Sequence, residues 1–161
     1  MSSRQSRPRS VVLGVGLLGV LLLTAADSAQ QKQSGAPELA KTLFRLETAQ
    51  WSEPYSGPLG FPKGAQRVSL SVDSRTGGET YYARFPAGSH FALHWHASSE
   101  YAVVLRGKVT HILGTERQSL QVGDYVVIPA KTTHSWEADP GGDVYLLIRR
   151  DGPADFNFVQ Q

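Results

Sequence analysis

After Phe44 the chain shows short segments in which apolar and polar positions alternate, and none holds an apolar period of 3.6 for three turns. Val68–Val72 alternates and stops at Asp73-Ser74, Thr80–Phe85 stops at Pro86-Ala87-Gly88, and Phe91–His96 alternates again. Tyr101–Leu105 runs into the turn Arg106-Gly107-Lys108, Val109–Leu113 ends at Gly114, and Leu120–Val122 reaches Gly123-Asp124. Tyr125–Ile128 stops at Pro129, Thr133–Glu137 precedes the loop at 139–142, and Val144–Arg149 is the last strong segment. β-branched and aromatic residues fill these segments, with glycine or proline between them. Many short strands at this spacing predict an all-β sandwich or barrel.

The N-terminal end breaks the pattern. Residues 1–10 carry Arg4, Arg7 and Arg9 with no acid, and Val11–Ala26 is almost wholly apolar. A basic start, a greasy run and small residues behind it read as a secretory signal over residues 1–28. Thr24-Ala25-Ala26 and Ala26-Asp27-Ser28 both offer a cleavage site. An uncleaved anchor is the alternative, although the run is shorter than the ~20 residues of a membrane span. Residues 29–43 read as a polar linker and 44–161 as one domain. The expected location is periplasmic or secreted, with no stable membrane association once the signal is removed.

Composition narrows the chemistry. The 161 residues are 19% charged with a formal charge of +2, part of it from the N-terminal arginines, so no nucleic-acid partner is expected. There is no cysteine, which excludes disulfides, thiolate zinc sites and cysteine nucleophiles. A metal must be held by nitrogen and oxygen.

Such donors cluster in one stretch, Gly88 to Gly107. His94 and His96 sit two apart on a predicted strand, so both imidazoles leave the same face. Glu100 follows the small polar break Ala97-Ser98-Ser99, where a bend can return its carboxylate to that face. Two imidazoles and a carboxylate suit first-row divalent metals, and His134 is the candidate fourth ligand.

Gly88, His94, His96, Glu100 and Gly107, with five, one, three and six residues between them, resemble the first motif of the cupin superfamily. Gly123, Pro129 and His134 resemble the second, which this chain leaves at Lys131, where the motif has glycine, and at Ala138, where it has asparagine. The resemblance implies a cupin-like jelly-roll β-barrel with one divalent transition metal on His94, His96, Glu100 and His134. Iron, manganese, zinc, nickel, cobalt and copper all occur in the family. A homodimer paired through sheet edges is a further expectation.

Other side chains bear on the pocket. Alternation puts Trp136 on the face of His134, as pocket floor or core aromatic. Tyr82 and Arg84 share a face and would suit an anionic or phenolic molecule if that face were the inner one, although an outward pair is the more ordinary reading. His90 and His111 are expected at the surface, Tyr101 between sheets, and Trp95 facing away from the metal.

The expected function is a metal-dependent enzyme of oxygenase, isomerase or lyase type acting on a small oxygen-bearing organic molecule, dioxygenase-like with iron or copper. The alternative is a cupin that binds or senses a small ligand without turning it over.

Overall fold

The computed structural model describes residues 42–57 and 60–159. The expected signal over 1–28, and nearly all of the linker, lie outside these residues. Among the described residues no helix is long and apolar enough to cross a membrane.

Among the described residues a single 3-10 turn, Leu46–Thr48, precedes ten strands: β1 Gln66–Val72, β2 Glu79–Phe85, β3 His90–Trp95, β4 Glu100–Arg106, β5 Lys108–Leu113, β6 Glu116–Gln121, β7 Tyr125–Ile128, β8 His134–Ala138, β9 Val144–Arg150 and β10 Asn157–Phe158. They form two five-stranded sheets, ordered β1-β2-β9-β4-β7 and β10-β3-β8-β5-β6. Each recorded pairing is antiparallel. This is the all-β jelly-roll barrel expected from the sequence.

Alternation decides which side chains enter the barrel. Tyr81, Ala83 and Phe85 of β2, Ala102 and Val104 of β4, and Val144, Leu146 and Ile148 of β9 are all buried. Val109 of β5 with Trp136 and Ala138 of β8 face them from the second sheet. The intervening residues point outward. Tyr101, expected between the sheets, is one of these: it neighbours inward Glu100, and its hydroxyl donates to Asp151 Oδ2 at 2.6 Å.

Two local departures from regular strand geometry shape the site. In β3, Phe91 pairs with Trp136 and His94 with His134, so three steps on β3 oppose two on β8. This bulge breaks the continuous alternation expected for Phe91–His96. Phe91 and His94 both turn inward, while His90 stays exposed as predicted. The second departure is Lys131, which has φ 64, the left-handed region that favours glycine. The cupin motif's glycine at this position therefore answers a backbone requirement that this chain meets with lysine. The Lys131 amide donates to the His96 carbonyl at 2.7 Å, tying the loop before β8 to the end of β3.

Candidate metal centre

The site lies where four strands begin or end. β3 carries His94 and is followed by His96, Glu100 opens β4, His134 opens β8, and Arg150 closes β9. Two cross-strand pairs organise it: His94 opposite His134 in one sheet, Glu100 opposite Arg150 in the other. All five residues are at most 2% exposed.

His94, His96 and His134 each offer a ring nitrogen, and these atoms lie within 4.8 Å of one another. Their tautomers are fixed by backbone carbonyls, which can only accept. Nδ1 of His94 donates to Ala92 O at 2.7 Å, that of His134 to Thr132 O at 3.0 Å, and that of His96 to Asp155 O at 2.5 Å. Each Nε2 therefore keeps its lone pair, the arrangement in which a second-sphere acceptor aims a histidine at a metal. Nε2 of His94 and of His134, like that of His111 outside the triad, is buried without a hydrogen-bond partner among the described residues. Phe91 stacks on the His94 ring at 4.2 Å and holds its orientation.

Burial keeps the imidazoles neutral. It pulls His94 down to about 3 and His96 to about 4, helped by the neighbouring His134 and Arg150 respectively, and lowers His134 as well. Neutral imidazoles with converging lone pairs fit a first-row divalent ion, so these three residues could hold one.

Glu100 adjoins the triad, with Oε2 3.4 Å from His96 Nε2 and Oε1 3.9 Å from His134 Nε2. Its nearest partner is Arg150, a residue the sequence reading missed. Arg150 Nε and Nη2 lie 3.0 and 2.9 Å from Glu100 Oε2, Nη1 donates to Asp155 O at 2.9 Å, and Nη2 approaches His96 Nε2 at 3.2 Å. Burial raises the Glu100 carboxyl and the guanidinium opposes it. The signal was available, since Arg150 has the parity of Val144, Leu146 and Ile148.

A cavity of about 340 Å³ opens between the sheets beside this pair. Its walls are mainly apolar, with Phe61, Phe85, Phe91, Trp136, Ile148 and Phe156 among them, and Glu100 and Arg150 supply charge deep inside. Exposed Ser52 and Glu53 stand on the same wall with Arg67, which pairs with Glu79. Trp136 is in the cavity wall. Tyr82 and Arg84 are not: inward Tyr81 and Ala83 place them on the outer face, where Arg84 binds Asp143 Oδ2 at 2.6 and 2.8 Å. The expectation of a surface His111 is also corrected. It shares inward parity with Val109, is 2% exposed, and lies with its ring centroid 4.4 Å from that of Trp136.

Solved structures share this architecture at low sequence identity. A cupin-2 domain protein of Rhodospirillum rubrum superposes with a TM-score of 0.61 at 17% identity, over 75% of this chain and 82% of its own. The polyketide cyclase RemF of Streptomyces resistomycificus gives 0.61 at 16%, over 75% and 87%. A candidate acetylacetone dioxygenase of Methylibium petroleiphilum gives 0.60 at 21%, over 76% and 83%. No curated protein matches the chain. The family described as the ChrR cupin-like domain matches residues 41–151, most of the chain. With its barrel, its converging histidines and this match, the protein belongs to the ChrR cupin-like family within the cupins.

Proposed function

We propose that the protein is a divalent-metal-dependent enzyme acting on a small oxygen-bearing organic molecule, with His94, His96, His134 and Glu100 as the metal ligands. The observation that carries this reading is the pair of buried, unpartnered Nε2 atoms of His94 and His134, held beside His96 in a metal-ready tautomer. An apolar interior does not ordinarily leave such acceptors unmet. A divalent ion bound there would supply Lewis acidity or, if redox-active, electron transfer. Iron, manganese, zinc, nickel, cobalt and copper all suit this donor set.

The remaining work falls to the chain's own residues. Phe91, Phe156 and Trp136 enclose the organic body and exclude water, while Glu100 presents a carboxylate between the cavity and the imidazoles. Among the fold relatives are a polyketide cyclase and a candidate acetylacetone dioxygenase. They support an organic substrate in a barrel of this shape, for a reaction of oxygenase, isomerase or lyase type.

The test is a turnover screen of enols, phenols and carboxylates by mass spectrometry, with wild type and His96→Ala each loaded in turn with the six metals. Metal-dependent product formation that disappears in His96→Ala is the expected result. Tight metal-dependent binding with no product for any compound would favour the alternative, a ligand-binding cupin.

A further inference from the structure

We infer that Arg150 is the anion receptor of the cavity and that the molecule taken there is an organic acid with an apolar body, its carboxylate paired with the guanidinium. This rests on the metal-dependent reading above and narrows its substrate class.

Three observations converge on Arg150. It is 1% exposed, yet it contributes to the wall of a cavity otherwise built largely from aromatic and aliphatic side chains. Its guanidinium lies 4.4 Å over the Phe156 ring, which fixes its plane. Nη1 keeps its bond to the Asp155 carbonyl, but its other two present partners, Glu100 and His96, are also the groups a metal would claim. Nη2 points at the His96 Nε2 lone pair from 3.2 Å, and one lone pair cannot serve both an N–H and a metal ion. Glu100, which takes Nε and Nη2 on one oxygen, has its other oxygen 3.9 Å from His134 Nε2. A carboxylate drawn toward the imidazoles gives up part of its hold on the guanidinium.

Charge then selects the ligand. Glu100 and Arg150 neutralise each other, so a divalent ion added beside them leaves the inner end of the cavity strongly positive. Two other acids are near: Glu53, exposed on the cavity wall, and Asp155. Asp155 Oδ2 accepts from the Ala97 amide and Asn157 Nδ2, its Oδ1 is 3.9 Å from His96 Nδ1, and its side chain is 31% exposed. Arg67, on the same cavity wall, is already paired with Glu79. Positive charge in an apolar interior calls for an anion with matching geometry, and a carboxylate matches a guanidinium in bidentate fashion. A volume of about 340 Å³ leaves room for a ring or short chain behind that carboxylate.

The experiment is calorimetric titration of the zinc-loaded full chain with 3-phenylpropionate and with its neutral amide, on wild type, Arg150→Gln and Arg150→Lys, with zinc content measured on each sample. Wild type is expected to prefer the acid by about tenfold or more. Arg150→Gln should bring the ratio close to one, and Arg150→Lys should keep part of it. If Arg150→Gln does not fold, Arg150→Lys replaces it, and an acid preference undiminished from wild type in that variant overturns the inference as well. An undiminished preference without the Arg150 charge overturns the inference, as does a zinc-loaded wild type that shows no preference or binds neither compound. A wild type that takes up no zinc yet prefers the acid through Arg150 sinks the metal reading and leaves the anion receptor standing. A wild type that shows neither zinc uptake nor a preference for the acid sinks both.

Discussion

Glu100 and Arg150 stand directly opposite each other on β4 and β9, and Oε2 of the one lies 2.9 and 3.0 Å from Nη2 and Nε of the other. The pair is buried on both sides, at 3% and 1% side-chain exposure. It forms the charged boundary between an apolar cavity and three converging imidazoles, and its energetics differ from those of any ion pair on the outer face.

Arg150→Met leaves the Glu100 carboxylate uncompensated and should cost about 3–5 kcal/mol. Arg84→Met breaks a pair of similar geometry with Asp143, but at 35% and 29% side-chain exposure, and should cost about 1 kcal/mol or less. Urea denaturation of the metal-free proteins checks the contrast. The double variant Arg150→Met/Glu100→Gln should recover much of the loss, because no buried charge is then left alone.

Backbone geometry separates two motif glycines. Gly107 has φ +81, and a Cβ there would sit 2.5 Å from the Asp143 carbonyl oxygen. Gly123 has φ +93 with nothing within 4 Å of a Cβ. Gly107→Ala should therefore destabilise by more than about 2 kcal/mol, and Gly123→Ala by about 1 kcal/mol from conformation alone. The converse applies at Lys131, where φ 64 is already left-handed. Lys131→Gly should stabilise by about 0.5–1 kcal/mol in the same denaturation experiment.

Acid should destabilise the metal-free protein early. Burial lowers His94 to about 3, His96 and His111 to about 4, and His134 in the same direction. The unfolded chain takes up protons on these groups near pH 6.5 while the folded chain resists, so stability falls as pH drops below about 6.5 and continues to fall toward 4. Glu100, raised by burial, works in the opposite direction, one group against four. The thermal midpoint at pH 5 should lie at least about 5 °C below that at pH 7. A midpoint unchanged between the two would show that the imidazoles are not held neutral.

Strand positions were legible because alternation and turn residues agreed, and β2, β5 and β7 differ from the sequence reading by at most a residue at either end. β6 begins at Glu116 although only Leu120–Val122 was apolar enough to read. It is an edge strand paired with β5 alone, so exposed polar residues suffice there. The histidines and Glu100 were found by spacing. Arg150 was not, because an arginine closing an apolar strand looks like a solvent-facing end, and only its parity with Ile148 marks it as inward. His111 reads as a surface residue because Val109–Leu113 carries apolar residues on both faces and marks neither as the inner one, whereas the outward reading of Tyr82 and Arg84 agrees with the buried Tyr81 and Ala83 beside them. The tail through Asp155 and Phe156 has no strand pattern at its start, yet its Asp155 carbonyl anchors both His96 and Arg150.

The most direct test is elemental analysis of the purified protein beside His94→Ala, His134→Ala and the control His90→Ala, whose side chain is exposed. The account predicts close to one divalent transition metal per chain in wild type and His90→Ala, and its loss in both of the other variants. A wild type that holds no metal after reloading, or full metal content in His94→Ala and His134→Ala, would contradict it.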